Sequence, residues 1–93
     1  MSEMYSLATM KIMWVDEQVE ATVEFPRGLA FPCLRAIRYR DRCVRFAGPI
    51  RSERTSTAVL YRGHAEGSEY SVRYETVSQR WILEAVRDVP RAS

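Results

Sequence analysis

Residues 18 to 25 alternate without exception: Val19, Ala21, Val23 and Phe25 are apolar, and Gln18, Glu20, Thr22 and Glu24 stand between them. A side-chain period of two sorts these residues onto the two faces of a β-strand, which a 3.6-residue helical period cannot do. The same pattern recurs along the chain between turn-like clusters, and this predicts a meander of antiparallel strands. With Asp16 and Glu17 as a turn, Met10, Ile12 and Trp14 fall opposite Val23, Ala21 and Val19. An opening hairpin with one continuously apolar face is therefore expected.

Two prolines and Gly28 break the pattern between Phe25 and Pro32, where a crossing loop is expected. A second hairpin follows over residues 33 to 39 and 42 to 47. With Arg40 and Asp41 at its turn, Ile37 meets Val44, Arg35 meets Phe46 and Cys43 meets Arg38, while Cys33 falls opposite Gly48. In this register Arg35, Ile37 and Tyr39 share one face, and Leu34 and Ala36 share the other. Gly48-Pro49 opens a polar loop through Thr55. Ala65-Glu66-Gly67-Ser68 then reads as a hairpin loop with Gly67 at positive φ, aligning Tyr61 with Val72 and Val59 with Tyr74. A further turn near Val77-Ser78 places Trp81 opposite Tyr74, Leu83 opposite Val72 and Arg80 opposite Glu75. Residues 78 to 89 also fit a short helix capped by Ser78, but the strand Tyr70-Val72-Tyr74 needs a partner, which favours a strand there.

The fold class this predicts is all-β, with about seven short antiparallel strands in hairpins and a meander, closing into a small barrel or a sandwich. Trp14, Tyr61, Tyr74 and Trp81 are assigned to its core. A length of 93 residues leaves room for one domain, residues 1–93, with 1–7 and 89–93 as frayed tails. The longest apolar run, Ile12 to Val15, is far short of the ~20 residues of a membrane helix, and a cytoplasmic protein with no membrane partner is expected. Cys33 and Cys43 are too few for a disulfide scaffold and read as free thiols.

Charge is segregated along the chain. Residues 1 to 26 carry a net −4, whereas residues 27 to 54 hold eight arginines against Asp41 and Glu53. Arg35, Arg38, Arg40, Arg42, Arg45, Arg51 and Arg54 lie close together, with Tyr39 and Phe46 interleaved. Guanidinium groups grip phosphates in a fork and stack on bases, so this stretch is the candidate nucleic-acid or anion-binding surface. The competing reading is a solvated, solubilising surface. Arg38 and Arg45 fall on the face opposite Tyr39 while Arg40 and Arg42 sit at the tip, so the charges do not all line one groove.

Met10, Met13, Val15, Leu29 and Phe31 find no partners in these registers and form the candidate interface for a homodimer or another protein. His64 is the sole histidine and sits beside Glu69 at a hairpin end, with no nucleophile elbow anywhere in the chain. Cys33, Cys43 and His64 lack the paired spacing of a structural zinc site. Glu20 and Glu24 share a strand face, but so short a chain can barely enclose a glycosidase cleft. Neither catalysis, a metal nor a cofactor is expected.

Phe31-Pro32, the run Ile37 to Phe46, Val59-Leu60-Tyr61-Arg62, Tyr70-Ser71-Val72-Arg73-Tyr74 and Arg80-Trp81-Ile82-Leu83 together resemble a family of small bacterial all-β proteins. Its pattern is a proline, an aromatic-rich hairpin with Gly-Arg at the turn, and a closing strand with Arg-Trp-x-Leu. The resemblance covers roughly residues 18 to 88. The chain departs from it in carrying Arg40-Asp41-Arg42 at the turn and Ala36-Ile37 where the family has an aromatic pair. Members are often encoded beside DNA-repair polymerase subunits, and the resemblance implies an accessory role in nucleic-acid metabolism without assigning a catalytic residue.

Overall fold

The alternation at residues 18 to 25 belongs to a longer strand. In a computed structural model, which describes residues 11–28 and 31–88, β1 (Ile12–Glu24) runs unbroken for 13 residues. The expected hairpin turn at Asp16 and Glu17 is instead a bulge, in which Val15 and Asp16 together face Glu84 of the neighbouring strand. Asp16 takes a φ of 52°, a left-handed conformation that aspartate tolerates better than most side chains. The added residue bends the strand without ending it. Alternation carries through the bulge, so Val15, Glu17, Val19, Ala21 and Val23 turn inward while Trp14, Asp16, Gln18 and Glu20 turn outward. Trp14 is thus not a core residue: it stands on the outer face, 76% exposed. Met10, Leu29 and the tails 1–7 and 89–93 lie outside the described residues.

The other strands are β2 (Cys33–Tyr39), β3 (Arg42–Arg45), β4 (Ala47–Arg54), β5 (Ala58–Ala65), β6 (Ser68–Glu75) and β7 (Arg80–Asp88). All seven form one antiparallel sheet in the order β3-β2-β1-β7-β6-β5-β4, curled into a half-barrel, with no helix among the described residues. β1 serves two neighbours, β7 along Ile12 to Val19 and β2 along Glu20 to Glu24. The edge strands β3 and β4 are separated in sequence by Phe46 alone, so the curl brings the two edges together at that corner.

The C-terminal meander has the expected registers as far as Leu83, with Tyr61 opposite Val72, Tyr74 opposite Trp81 and Glu75 opposite Arg80; Glu84 is then an extra residue between the Val72–Leu83 and Ser71–Ala85 pairs. Residues 80 to 88 are strand, not helix. Arg40-Asp41 and Glu66-Gly67 form tight turns with positive φ at both positions, a twist that matches the flanking strands. Two segments differ from expectation. The polar loop after Gly48 is strand β4: Gly48 and Pro49 lie in an irregular stretch between the Ala47–His64 and Arg51–Arg62 pairs, and an edge strand accommodates a proline without losing a central ladder bond. In β2, Arg35 is an extra residue between the Val23–Leu34 and Thr22–Ala36 pairs. It shifts the alternation so that Leu34 joins Ile37 and Tyr39 in the core, and Cys33 pairs with Glu24 rather than facing Gly48.

The inner face is filled by Leu34, Ile37, Tyr39, Val44, Val59, Tyr61, Tyr70, Val72 and Leu83. Trp81 packs on Tyr74 and Tyr61 with ring centroids 4.6 and 5.4 Å apart. Val15 and Phe31 of the candidate interface set pack half-buried against this core, Phe31 edge-on to Tyr61. The buried Tyr61 hydroxyl donates to the Pro32 carbonyl at 2.6 Å, and burial pushes its pKa up to about 12. At Gly63 the Phe46 ring lies directly on the backbone, 2.8 Å from where a Cβ would stand.

Candidate nucleic-acid interface

The pairing of β1 with β2 disposes of much of the charge segregation seen in the sequence. Arg35 bonds Glu24 at 2.8 Å and Arg40 bonds Glu17 at 3.0 Å, while Arg38 stands across the ladder from Glu20. Arg42 at the hairpin tip pairs with Glu66 in the β5–β6 turn. The acidic first strand and the basic second hairpin are complements of each other. Tyr39, expected among the binding residues, is buried, and the Arg40 guanidinium lies 5.0 Å from its ring centroid. Arg45 is exposed on β3, and Arg54 is exposed at the end of β4, opposite Val59.

Arg38, Arg45 and Arg54 form no ion pair among the described residues, and Arg51 is set apart from them by facing a second arginine. It stands directly opposite Arg62 on the outer face, and among the described residues neither meets a carboxylate within ion-pair distance. Like charges facing each other across a ladder cost stability. Together with Ser52, Glu53 and Leu60 the two arginines line a depression of about 140 Å³. Glu53 lies two residues beyond Arg51 but forms no ion pair among the described residues.

The cross-strand row that begins with Arg51 and Arg62 continues through Ser71 of β6 and Ala85 of β7 to Trp14 of β1. The short side chains of Ser71 and Ala85 leave a groove of about 240 Å³ with Arg62 at one end and Trp14 and Ile12 at the other. Its carboxylates are already engaged. Glu69, buried, accepts from Arg87 at 2.5 Å, and Glu84, the extra residue of β7 between its pairs with Ser71 and Val72, accepts from Arg73. Arg73 also reaches Glu75 at 3.3 Å. The Ser78 hydroxyl donates to Glu75 at 2.7 Å, and with Arg80 and Arg73 beside it this carboxyl is held below its ordinary range. The groove thus presents one uncompensated guanidinium, a second just beyond it, and an exposed indole.

Sequence reasoning places Arg51 in the candidate set but misses Arg62 and Trp14. Arg62 lies outside the dense run of arginines. Trp14 carries a usable signal: counted back from Gln18 in steps of two, it falls with the polar residues Glu24, Thr22 and Glu20, not with Val19. The interface residue Met13 is exposed, next to Ile12 and Trp14.

His64 is exposed, with Nε2 3.8 Å from a Glu69 carboxylate that already holds Arg87. Among the described residues no three of His, Cys, Asp or Glu cluster closely enough to hold a metal ion. Cys33 and Cys43 are free thiols. No helix among the described residues is long and apolar enough to cross a membrane. No protein-family model, no curated protein and no solved structure matches the chain.

Proposed function

We propose that this protein is a non-enzymatic binding module of nucleic-acid metabolism that holds a phosphate backbone on the outer face of β4 and β5. The observation that carries this reading is the Arg51–Arg62 pair, two arginines that face each other across the β4–β5 ladder and line one depression without a carboxylate partner among the described residues. An anion bridging them turns their repulsion into attraction, and a planar fork suits phosphate oxygens. The resemblance to proteins encoded beside repair polymerase subunits points the same way. The pairing of Arg35, Arg40 and Arg42 with Glu24, Glu17 and Glu66 favours β4 and β5 over the arginine hairpin as the binding surface. Fluorescence anisotropy with a labelled oligonucleotide tests the reading. Affinity should fall steeply with salt, because displaced counterions give a log–log slope of roughly −0.7 per phosphate neutralised on a single strand. Absence of binding at low salt, or a salt-independent signal, removes it.

A second reading, self-association, is supported by the contiguous exposed residues Ile12, Met13 and Trp14. It predicts a concentration-dependent mass in sedimentation equilibrium that the Trp14→Ala change reduces to that of a monomer.

A further inference from the structure

We infer that Trp14 is a base-stacking platform and that the groove selects single-stranded over double-stranded nucleic acid, an inference that rests on the phosphate-binding role of Arg51 and Arg62. Trp14 is the most exposed aromatic residue on the sheet's outer face, and it shares one groove with Arg62. Its placement is built, not incidental. The bulge at Val15 and Asp16 keeps β1 in the sheet while its alternation turns the indole outward, and the Trp14–Ala85 ladder pair fixes its level on the sheet. Ala85 and Ser71 beside it are too short to cover the ring.

Three strand spacings separate Trp14 from Arg62 and a fourth reaches Arg51, a span of roughly 14 to 19 Å. A chain lying along this row would set phosphates on the guanidinium groups and a base on the indole, a combination of charge and stacking that single-strand-binding surfaces use. A duplex keeps its bases stacked inside and offers only phosphates to the same row. The carboxylates nearest the path, Glu69 and Glu84, are neutralised by Arg87 and Arg73 and do not repel it.

The test compares a deoxythymidine ten-mer, its RNA counterpart, an abasic ten-mer and a duplex of equal length. Trp14→Ala should weaken binding of both ten-mers that carry bases by about tenfold, the loss expected for one base–aromatic stack. Binding of the abasic strand should not change, and Trp14→Phe should restore most of the loss. Indole fluorescence should be quenched by the base-carrying strands and not by the abasic one. If Trp14→Ala leaves all affinities unchanged while the Arg51→Ala, Arg62→Ala double variant abolishes binding, the stacking role is wrong and the phosphate site stands. If the duplex binds as tightly as the single strand, the selectivity is wrong. If the wild-type protein binds none of the four, the phosphate-binding reading itself fails.

Discussion

The two faces of this one sheet do different work. Inside, nearly every side chain is committed: aromatic rings pack on one another, and the buried Tyr61 hydroxyl has its acceptor. Outside, charge is sorted into groups that answer one another, such as Arg35 with Glu24 and Glu84 with Arg73, and groups that answer nothing, Arg51 with Arg62. The contrast teaches where to look for function in a small β domain. An interior this size has no room to spare, so function falls to the part of the surface that folding leaves unsatisfied.

Changes on the inner face should cost the most stability and leave the groove's chemistry alone. Gly63→Ala drives a methyl group into the Phe46 ring, an overpacking that should destabilise by about 1–3 kcal/mol in urea titration. An unchanged midpoint would mean that Phe46 moves aside freely. Tyr61→Phe should cost on the order of 1–2 kcal/mol by leaving the Pro32 carbonyl unpaired. It should also change the alkaline behaviour. Tyr61 has a folded pKa of about 12 against about 10 when unfolded, so its neutral form favours the folded state. That contribution is complete below pH ~10 and is lost as pH rises toward ~12, amounting to roughly 2–3 kcal/mol. The wild-type protein should therefore lose stability across this window more steeply than Tyr61→Phe, and equal slopes would contradict the burial argument.

Outer-face changes should be smaller and should separate the two arginine sets. Arg40→Ala with Arg42→Ala removes two exposed ion pairs and should leave the urea midpoint close to wild type in the same assay. Arg51→Ala relieves a like-charge pair and should leave the midpoint unchanged or raise it by a few tenths of a kcal/mol, roughly the size of a cross-strand pair effect. A clear loss of stability in Arg51→Ala would mean that the residue is structural and would erase the distinction.

How much of the fold is legible in the sequence follows from where the alternation is regular. Residues 58 to 83 pair with the registers expected from the sequence, because β5, β6 and the first half of β7 carry apolar and charged partners that agree across each ladder and because Gly67 marks its turn; beyond Leu83 the extra residue Glu84 shifts β7 by one, so that Ala85 meets Ser71. The misreadings at Trp14, Arg35 and Gly48 all sit at bulges. A bulge keeps a strand in the sheet while shifting its register, and nothing local in the residues distinguishes Asp16 in a bulge from Asp16 in a turn. The candidate site is legible only in part: Arg51 stands in the dense run of arginines and the parity of Trp14 marks it as outward, but their meeting in one row is not written in the local sequence. Arg51 and Trp14 belong to strands at opposite ends of the row, and only the sheet order brings them to one level.

The most direct test sets the two arginine sets against each other in one salt titration of single-stranded oligonucleotide binding. Arg51→Ala with Arg62→Ala should lower affinity at least tenfold and flatten the log–log salt slope by roughly 0.7 for each phosphate the variant no longer neutralises, while Arg40→Ala with Arg42→Ala leaves both close to wild type. Equal effects of the two double variants, or a larger effect of the hairpin pair, would contradict a site on β4 and β5.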